Sequence, residues 1–168
     1  SKVRGPNSRR SISAIIACYK DEPAIPIMHE RLVSIFKKLG VSYEIIFVND
    51  CSPDNSAEVI RQITERDSNV IGIRHSRPFG SQMAFRSGME IATKDAVVLL
   101  DGDLQDPPEL IEGFFAKWQE GFDVIYGRRV KREMPWYWAI QYKLFYRIFA
   151  AFSYVKIPHD AGDLSLID

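Results

Sequence analysis

Residues 96–108 read Ala-Val-Val-Leu-Leu-Asp-Gly-Asp-Leu-Gln-Asp-Pro-Pro. An unbroken apolar run, Ala96 to Leu100, stops at two carboxylates, Asp101 and Asp103, and prolines then open the next element. A strand without polar alternation is buried on both faces, as in a parallel sheet covered by helices. Prolines suit the first turn of a helix, where the missing N–H has no partner to lose. In such sheets ligands gather outside the carboxyl ends of the strands. Asp101 and Asp103 stand at such an end.

The same alternation runs outward from this stretch. Upstream, Ser13–Tyr19, Tyr43–Val48 and Val70–Arg74 are strand-like runs, and Val124–Tyr126 follows downstream. Between them, Ile25, Met28, Leu32, Ile35, Phe36 and Leu39 recur at helical spacing, and Gly40 supplies a stop. Further helices are expected over Ser56–Arg66, Gly80–Ala92, Pro108–Gln119 and, last and longest, Trp136–Tyr154. Strands alternating with helices predict an α/β fold with a mainly parallel sheet flanked by helices.

The 168 residues fit one domain, and 22 basic residues balance 22 acidic ones. That balance excludes a general nucleic-acid binder, which needs a basic excess to displace counterions. Two cysteines make no disulfide scaffold; Cys18 and Cys51 read as small thiols in a reducing compartment. His29, His75 and His159 have no ligand spacing, so no metal is assigned to them. No apolar run approaches the ~20 residues that span a bilayer. Residues 1–10 carry Lys2, Arg4, Arg9 and Arg10 and no acid, which reads as a flexible basic arm.

Acids or arginines follow several strands. Tyr19-Lys20-Asp21-Glu22 follows the first, Asn49-Asp50-Cys51-Ser52-Pro53-Asp54 the second, and Gly127-Arg128-Arg129 the fifth. Asp101 and Asp103, two apart with Gly102 allowing a tight bend, can face one Mg²⁺ or Mn²⁺ that also takes phosphate oxygens, and Gln105 can add an amide oxygen. The same residues also read as an acidic turn capping the next helix. Asp50 stands where a nucleotide fold meets a base or ribose, or simply forms a turn. Asp54, in Ser-Pro-Asp-Asn, reads better as a cap for the second helix. Arg128 and Arg129 suit a phosphate or a solvated basic loop.

The string Asp101-Gly102-Asp103-Leu104-Gln105-Asp106-Pro107-Pro108-Glu109 resembles the signature of family 2 glycosyltransferases of the dolichol-phosphate mannosyltransferase type, whose bacterial relatives glycosylate undecaprenyl phosphate. Asn49–Ser56 is similar to the family's second acidic motif. Phe79-Gly80-Ser81-Gln82, with Ala84 and Gly88, is similar to its third-helix start. His159-Asp160-Ala161-Gly162-Asp163 resembles the segment with its acceptor-side Asp. Two departures stand out. Ala17-Cys18-Tyr19-Lys20-Asp21 replaces the usual Pro-x-Tyr-Asn-Glu, and Ser165 stands where an Arg is common.

The resemblance implies a GT-A-type nucleotide-sugar fold over residues 11–168. It also implies a longer family domain, usually followed by membrane helices, so this chain reads as shortened at its C-terminus. The implied reaction is inverting transfer of a sugar from a UDP- or GDP-linked donor to a dolichyl or undecaprenyl phosphate. Tyr19, Asp21, Asp50 and Asp101 would hold the nucleotide. Asp101, Asp103 and Gln105 would hold Mg²⁺ or Mn²⁺. Asp103, Arg128 and Asp163 would carry catalysis. A phosphate acceptor is already largely ionised near neutral pH, with a second pKa around 6, so Asp163 would orient more than deprotonate.

The implied location is the cytoplasmic face of a membrane, reached through C-terminal segments. Along the expected last helix, Trp138, Tyr142, Phe145, Phe149 and Phe152 form one stripe near Lys143 and Arg147. That suits a helix on anionic lipid or equally a core helix. Other readings are a nucleotide-sugar transferase with a soluble or polysaccharide acceptor, and a non-catalytic nucleotide-binding domain. The oligomeric state stays open, a homo-oligomer included.

Overall fold

The computed structural model describes residues 11–105, 107–120, 124–125, 148–150 and 165–167. Strands β1 (Ser11–Cys18), β2 (Ser42–Asn49), β3 (Val70–Arg74) and β4 (Ala96–Asp101) alternate with helices α1 (Ala24–Leu39), α2 (Ser56–Arg66) and α3 (Ser81–Ile91). A 3₁₀ turn, Pro108–Leu110, leads into α4 (Ile111–Gln119). Short strands β5 (Val124–Ile125), β6 (Ile148–Ala150) and β7 (Ser165–Ile167) follow. The sheet order is β3-β2-β1-β4-β7-β5, with β6 also on β4. β3, β2, β1 and β4 are mutually parallel; β6 and β7 run antiparallel to β4.

The apolar runs are buried on both faces, as their lack of alternation requires. On one face Ile12, Ile16, Phe47, Val98 and Leu100 meet Met28, Leu32 and Phe36 of α1, Ile60 and Ile63 of α2, and Trp118 of α4. On the other, Ile15, Ile46, Val97 and Leu99 meet Ala84 and Phe85 of α3. Helix α3 lies so close to β1 that a Cβ at Gly88 would collide with the Ile15 side chain. Gly40 ends α1 in the left-handed region, φ 65°, its N–H on the Lys37 carbonyl.

At the amino end of the sheet a buried acid is fully enclosed. Glu44, paired in register with Ser13, accepts the Ser13 hydroxyl at 2.7 Å, the Thr93 N–H at 2.7 Å and the Thr93 hydroxyl at 3.0 Å. These bonds join β1, β2 and the turn before β4.

The expected long helix over Trp136–Tyr154 does not continue through its middle. Ile148–Ala150 is β6, and Ala150 is opposite Ala96. A short apolar run fits either period, and the side of β4 away from β1 carries backbone groups that need partners. The rest of that segment, with Trp138, Tyr142, Phe145 and Phe152, lies outside the described residues. So does the basic arm, residues 1–10.

Candidate functional site

The chain steps from β1 outward to β2 and β3, then returns to place β4 on the other side of β1. Loops leaving β1 and β4 therefore diverge, and a crevice opens between their carboxyl ends. Ala17 pairs with Asp101 across this seam, and the Gly102 N–H bonds the Ala17 carbonyl at 2.9 Å. Gly102 fits a tight approach. A Cβ there would stand 3.0 Å from Asp21 Oδ2, 3.1 Å from the Ala17 carbonyl oxygen and 3.2 Å from Cys18 Sγ.

Three non-glycine residues turn these loops through the left-handed region: Lys20 (φ 58°), Cys51 (φ 58°) and Leu104 (φ 59°). Such residues cost about 1–3 kcal/mol each and persist where the surroundings over-determine them. Here the loops clasp one another. The Lys20 N–H donates to Ser52 Oγ at 2.8 Å, and the Asn55 N–H to Glu22 at 3.0 Å. Asp54 accepts both Ser52 and Ser56 hydroxyls at 2.6 and 2.5 Å, the Ser56 N–H at 3.1 Å and the Glu22 N–H at 3.3 Å. Burial alone would raise its pKa, but these donors hold it below the usual carboxylate value. Asp54 is thus a clasp; the N-cap position of α2 is the next residue, Asn55, and Asp54 reaches the helix through the Ser56 hydroxyl and N–H.

The crevice holds a cavity of about 200 Å³ lined by Ala17, Cys18, Tyr19, Asp21, Asp50, Ser81, Asp101 and Asp103. Asp21 accepts the Tyr19 N–H at 2.9 Å. Burial raises its pKa; the Tyr19 N–H pulls the other way, and the neighbouring carboxylates Asp103 and Asp54 add to the rise. Exposed Asp103 accepts the Gln105 N–H at 3.1 Å. Burial, then Asp21, Asp101 and Asp54, push the Cys18 thiol well up, so it is a protonated wall group rather than a nucleophile. Among the described residues no Lys or Arg pairs with Asp21 or Asp103.

The structure brings together five residues read from the sequence: Tyr19, Asp21, Asp50, Asp101 and Asp103. Gln105 is exposed two residues beyond Asp103 and is not among the cavity's lining. Arg128 and Asp163 lie outside the described residues. Two residues that the sequence reading gave no part in the site belong to it. Ser81 reaches the cavity from the start of α3, and His75, the residue after β3, holds Asp50 at 2.8 Å. Position was the available signal for His75, since it too follows a strand end.

The family model for glycosyl transferase family 2 matches residues 13–168. The chain belongs to glycosyl transferase family 2. Among family relatives, an uncharacterized glycosyltransferase of Bacillus subtilis is 39% identical over 157 residues, 93% of this chain and 49% of that protein. An undecaprenyl-phosphate 4-deoxy-4-formamido-L-arabinose transferase of Proteus mirabilis is 38% identical over 75% of this chain and 39% of its own length. A prophage bactoprenol glucosyl transferase homolog of Escherichia coli is 31% identical over 93% of this chain and 51% of its own. The chain spans about half the length of the curated relatives it matches. Among solved structures, a Pyrobaculum calidifontis mannosyltransferase in complex with GDP-Man and Mn²⁺ superposes with a TM-score of 0.58 at 22% identity, over 81% of this chain and 40% of that one. This family 2 member therefore has the GT-A glycosyltransferase fold.

Proposed function

We propose that this family 2 domain transfers a sugar, with inversion, from a UDP- or GDP-linked donor to a polyprenyl phosphate, assisted by Mg²⁺ or Mn²⁺. One observation carries the reading: Asp21, Asp50, Asp101 and Asp103 converge on one cavity at the β1/β4 seam. Asp21 is half-buried beside exposed Asp103, with no Lys or Arg paired to either among the described residues. Like charges so placed ask for positive charge from a ligand. Among the described residues no group of three or more His, Cys, Asp or Glu is placed to hold a metal ion. A hard cation that fills its shell with phosphate oxygens needs only one or two carboxylates, and an all-oxygen donor set suits Mg²⁺ or Mn²⁺.

Asp101 and Asp103, with Gln105 beside them, would hold the cation, which supplies charge neutralisation to the departing nucleoside diphosphate. Tyr19, Asp21 and Asp101 would orient the nucleotide, with Asp50 completing the wall. Arg128 is assigned to the leaving diphosphate and Asp163 to the acceptor side. Two relatives named for undecaprenyl-phosphate and bactoprenol support a polyprenyl phosphate acceptor, and with it action at the cytoplasmic face of a membrane. No helix among the described residues is long and apolar enough to cross a membrane.

The test is thermal stabilisation by UDP, GDP and CDP, each with and without Mn²⁺, for wild type and Asp103→Asn. A ligand at 100 times its Kd adds about 2.7 kcal/mol. Mn²⁺-dependent stabilisation by one nucleotide, lost in Asp103→Asn, is the expected result. No stabilisation of the wild type by any of the three would overturn the donor-site assignment. Transfer of label to undecaprenyl phosphate, against a soluble sugar acceptor, tests the acceptor.

A further inference from the structure

Asp50 lines the cavity, yet its carboxylate is largely occupied by protein. Oδ1 accepts His75 Nδ1 at 2.8 Å and the Phe79 N–H at 2.8 Å, and Oδ2 accepts the Gly80 N–H at 2.8 Å. A carboxylate offers about four acceptor positions, and three are filled. The chain continues past His75, whose Nε2 lies 2.8 Å from Ser87 Oγ in the middle of α3. Because an ionised Asp50 can only accept, Nδ1 carries the proton there. The other ring nitrogen, Nε2, is left to pair with the Ser87 hydroxyl. The His75 N–H is itself tied to the Asn49 carbonyl at 2.9 Å, and the ring stands edge-on to Phe79 at 5.3 Å.

Ser87, His75 and Asp50 are linked in the order of a hydrolytic relay, but neither Ser87 nor His75 borders the cavity. What the linkage controls is the loop between β3 and α3. Gly80, at φ 95° and ψ 165°, makes the turn into α3, and the next residue, Ser81, lines the cavity.

We propose that His75 is a positioning residue: with Ser87 it forms a strut that holds Asp50 and loop 75–80, and so sets Asp50, Ser81 and the start of α3 against the nucleotide. This rests on the reading of the cavity as the donor site. The strut gives a dependence that direct contact does not. Residues remote from the nucleotide become necessary for its binding, and they act through Asp50.

The test measures Kd for UDP, GDP and CDP with Mn²⁺ on the whole chain, for wild type, Asp50→Asn, His75→Ala, His75→Asn and Ser87→Ala. Amide hydrogen exchange at Phe79 and Gly80 is followed in the same proteins. Losing a charge-assisted bond predicts about tenfold weaker nucleotide binding in His75→Ala. Ser87→Ala, which leaves the Asp50 bond in place, is expected to weaken binding less. His75→Asn keeps a side-chain N–H toward Asp50 and should recover most of the affinity. Asp50→Asn and His75→Ala together should cost less than the sum of the two singles, since coupled sites are not additive. Protection of the Phe79 and Gly80 amides should fall with affinity and return with it.

If His75→Ala binds within twofold of wild type while Asp50→Asn is weak, Asp50 serves the nucleotide without help from His75 and the strut is wrong. Unchanged amide protection in His75→Ala would overturn it as well. Should His75→Ala fail to fold, Ser87→Ala and His75→Asn carry the comparison. A wild type that binds none of the three nucleotides fails the donor-site reading instead, and amide exchange alone then decides the strut.

Discussion

The two ends of the central sheet treat carboxylates in opposite ways. At the amino end, Glu44 is buried among three donors from Ser13 and Thr93. At the carboxyl end, Asp21 and Asp103 each accept a single backbone N–H and face each other's charge. Both ends are acidic, so acidity alone says little. A buried acid with protein donors on both oxygens is a structural joint. A group of acids pressed together without a protein cation stores unfavourable charge that a ligand can relieve. Asp50 and Asp54 show that the distinction is finer than top against bottom. They sit on the carboxyl side, yet protein donors fill them, and their pKa values move down while that of Asp21 moves up.

The largest expected effect tests the open end. Asp103→Asn keeps an oxygen for the Gln105 N–H and removes the charge. Sugar transfer should fall about 100-fold or more, the scale for losing one electrostatic stabiliser, while the melting temperature stays within a degree or two of wild type. Initial rates with a labelled nucleotide sugar, beside a thermal melt, check this. A fall in rate matched by a fall in stability would make Asp103 another joint.

Next comes the closed end. Glu44→Ala leaves the buried Ser13 O–H without its acceptor, at about 1–3 kcal/mol, while the exposed Thr93 loses its bonds to Glu44 but can turn to water. For a chain of this length 1 kcal/mol is about 2–4 °C, so a drop of roughly 2–12 °C is expected. Nucleotide affinity at a temperature where both proteins are folded should not change. If it fell as it does in Asp103→Asn, the two ends would be one coupled network.

How far the sequence reveals this division follows from distance along the chain. Strands β1 to β4 and helices α1 to α4 were legible because an apolar run or a helical stripe is a local signal. So was Asp54 as a turn residue leading into α2, one before the N-cap Asn55, since Ser52 and Ser56 are its near neighbours. The acids of the crevice were legible because each directly follows a strand. The difference between Asp50 and Asp21 was not, because it depends on donors that Asp50 meets 25 and 29 positions away, at His75 and Phe79. Glu44 meets Thr93 across 49 positions. Strand β6 was misread as helix for the same reason. Ile148-Phe149-Ala150 suits either element, and its partner β4 lies far back in the chain.

A smaller effect sharpens the boundary of the open site. Gly102 separates Asp101 from Asp103, and a methyl there meets Asp21 Oδ2, the Ala17 carbonyl and Cys18 Sγ at 3.0–3.2 Å. The carbonyl belongs to β1 and cannot give way easily. Gly102→Ala should therefore cost about 1–3 kcal/mol as overpacking does. It should also weaken Mn²⁺-dependent nucleotide binding, because Asp21 is the neighbour freest to move. Stability lost with binding intact would mean that Asp21 takes no part in the site.

The smallest effect reads the stored charge directly. Asp21 has a folded-state pKa above its ordinary value, from burial first and then from Asp103 and Asp54, against the pull of the Tyr19 N–H. For an acid shifted up, ionisation is harder in the folded chain than in the unfolded one. Stability is therefore lost as pH rises from the ordinary carboxylate range, about 3.9, through the raised pKa, and is not regained at neutral pH. Asn never ionises and can still accept the Tyr19 N–H. Asp21→Asn should thus melt slightly higher than wild type at pH 7, with the gap closing below about pH 4, where both side chains are neutral. Melts across pH 3.5–7.5 without divalent cation check the sign. Adding Mn²⁺ with the bound nucleotide should shrink or reverse the gap, because a cation in the crevice favours the charged Asp21. A gap of the same size with and without Mn²⁺ would place the cation elsewhere and leave the open end of the sheet without its proposed ligand.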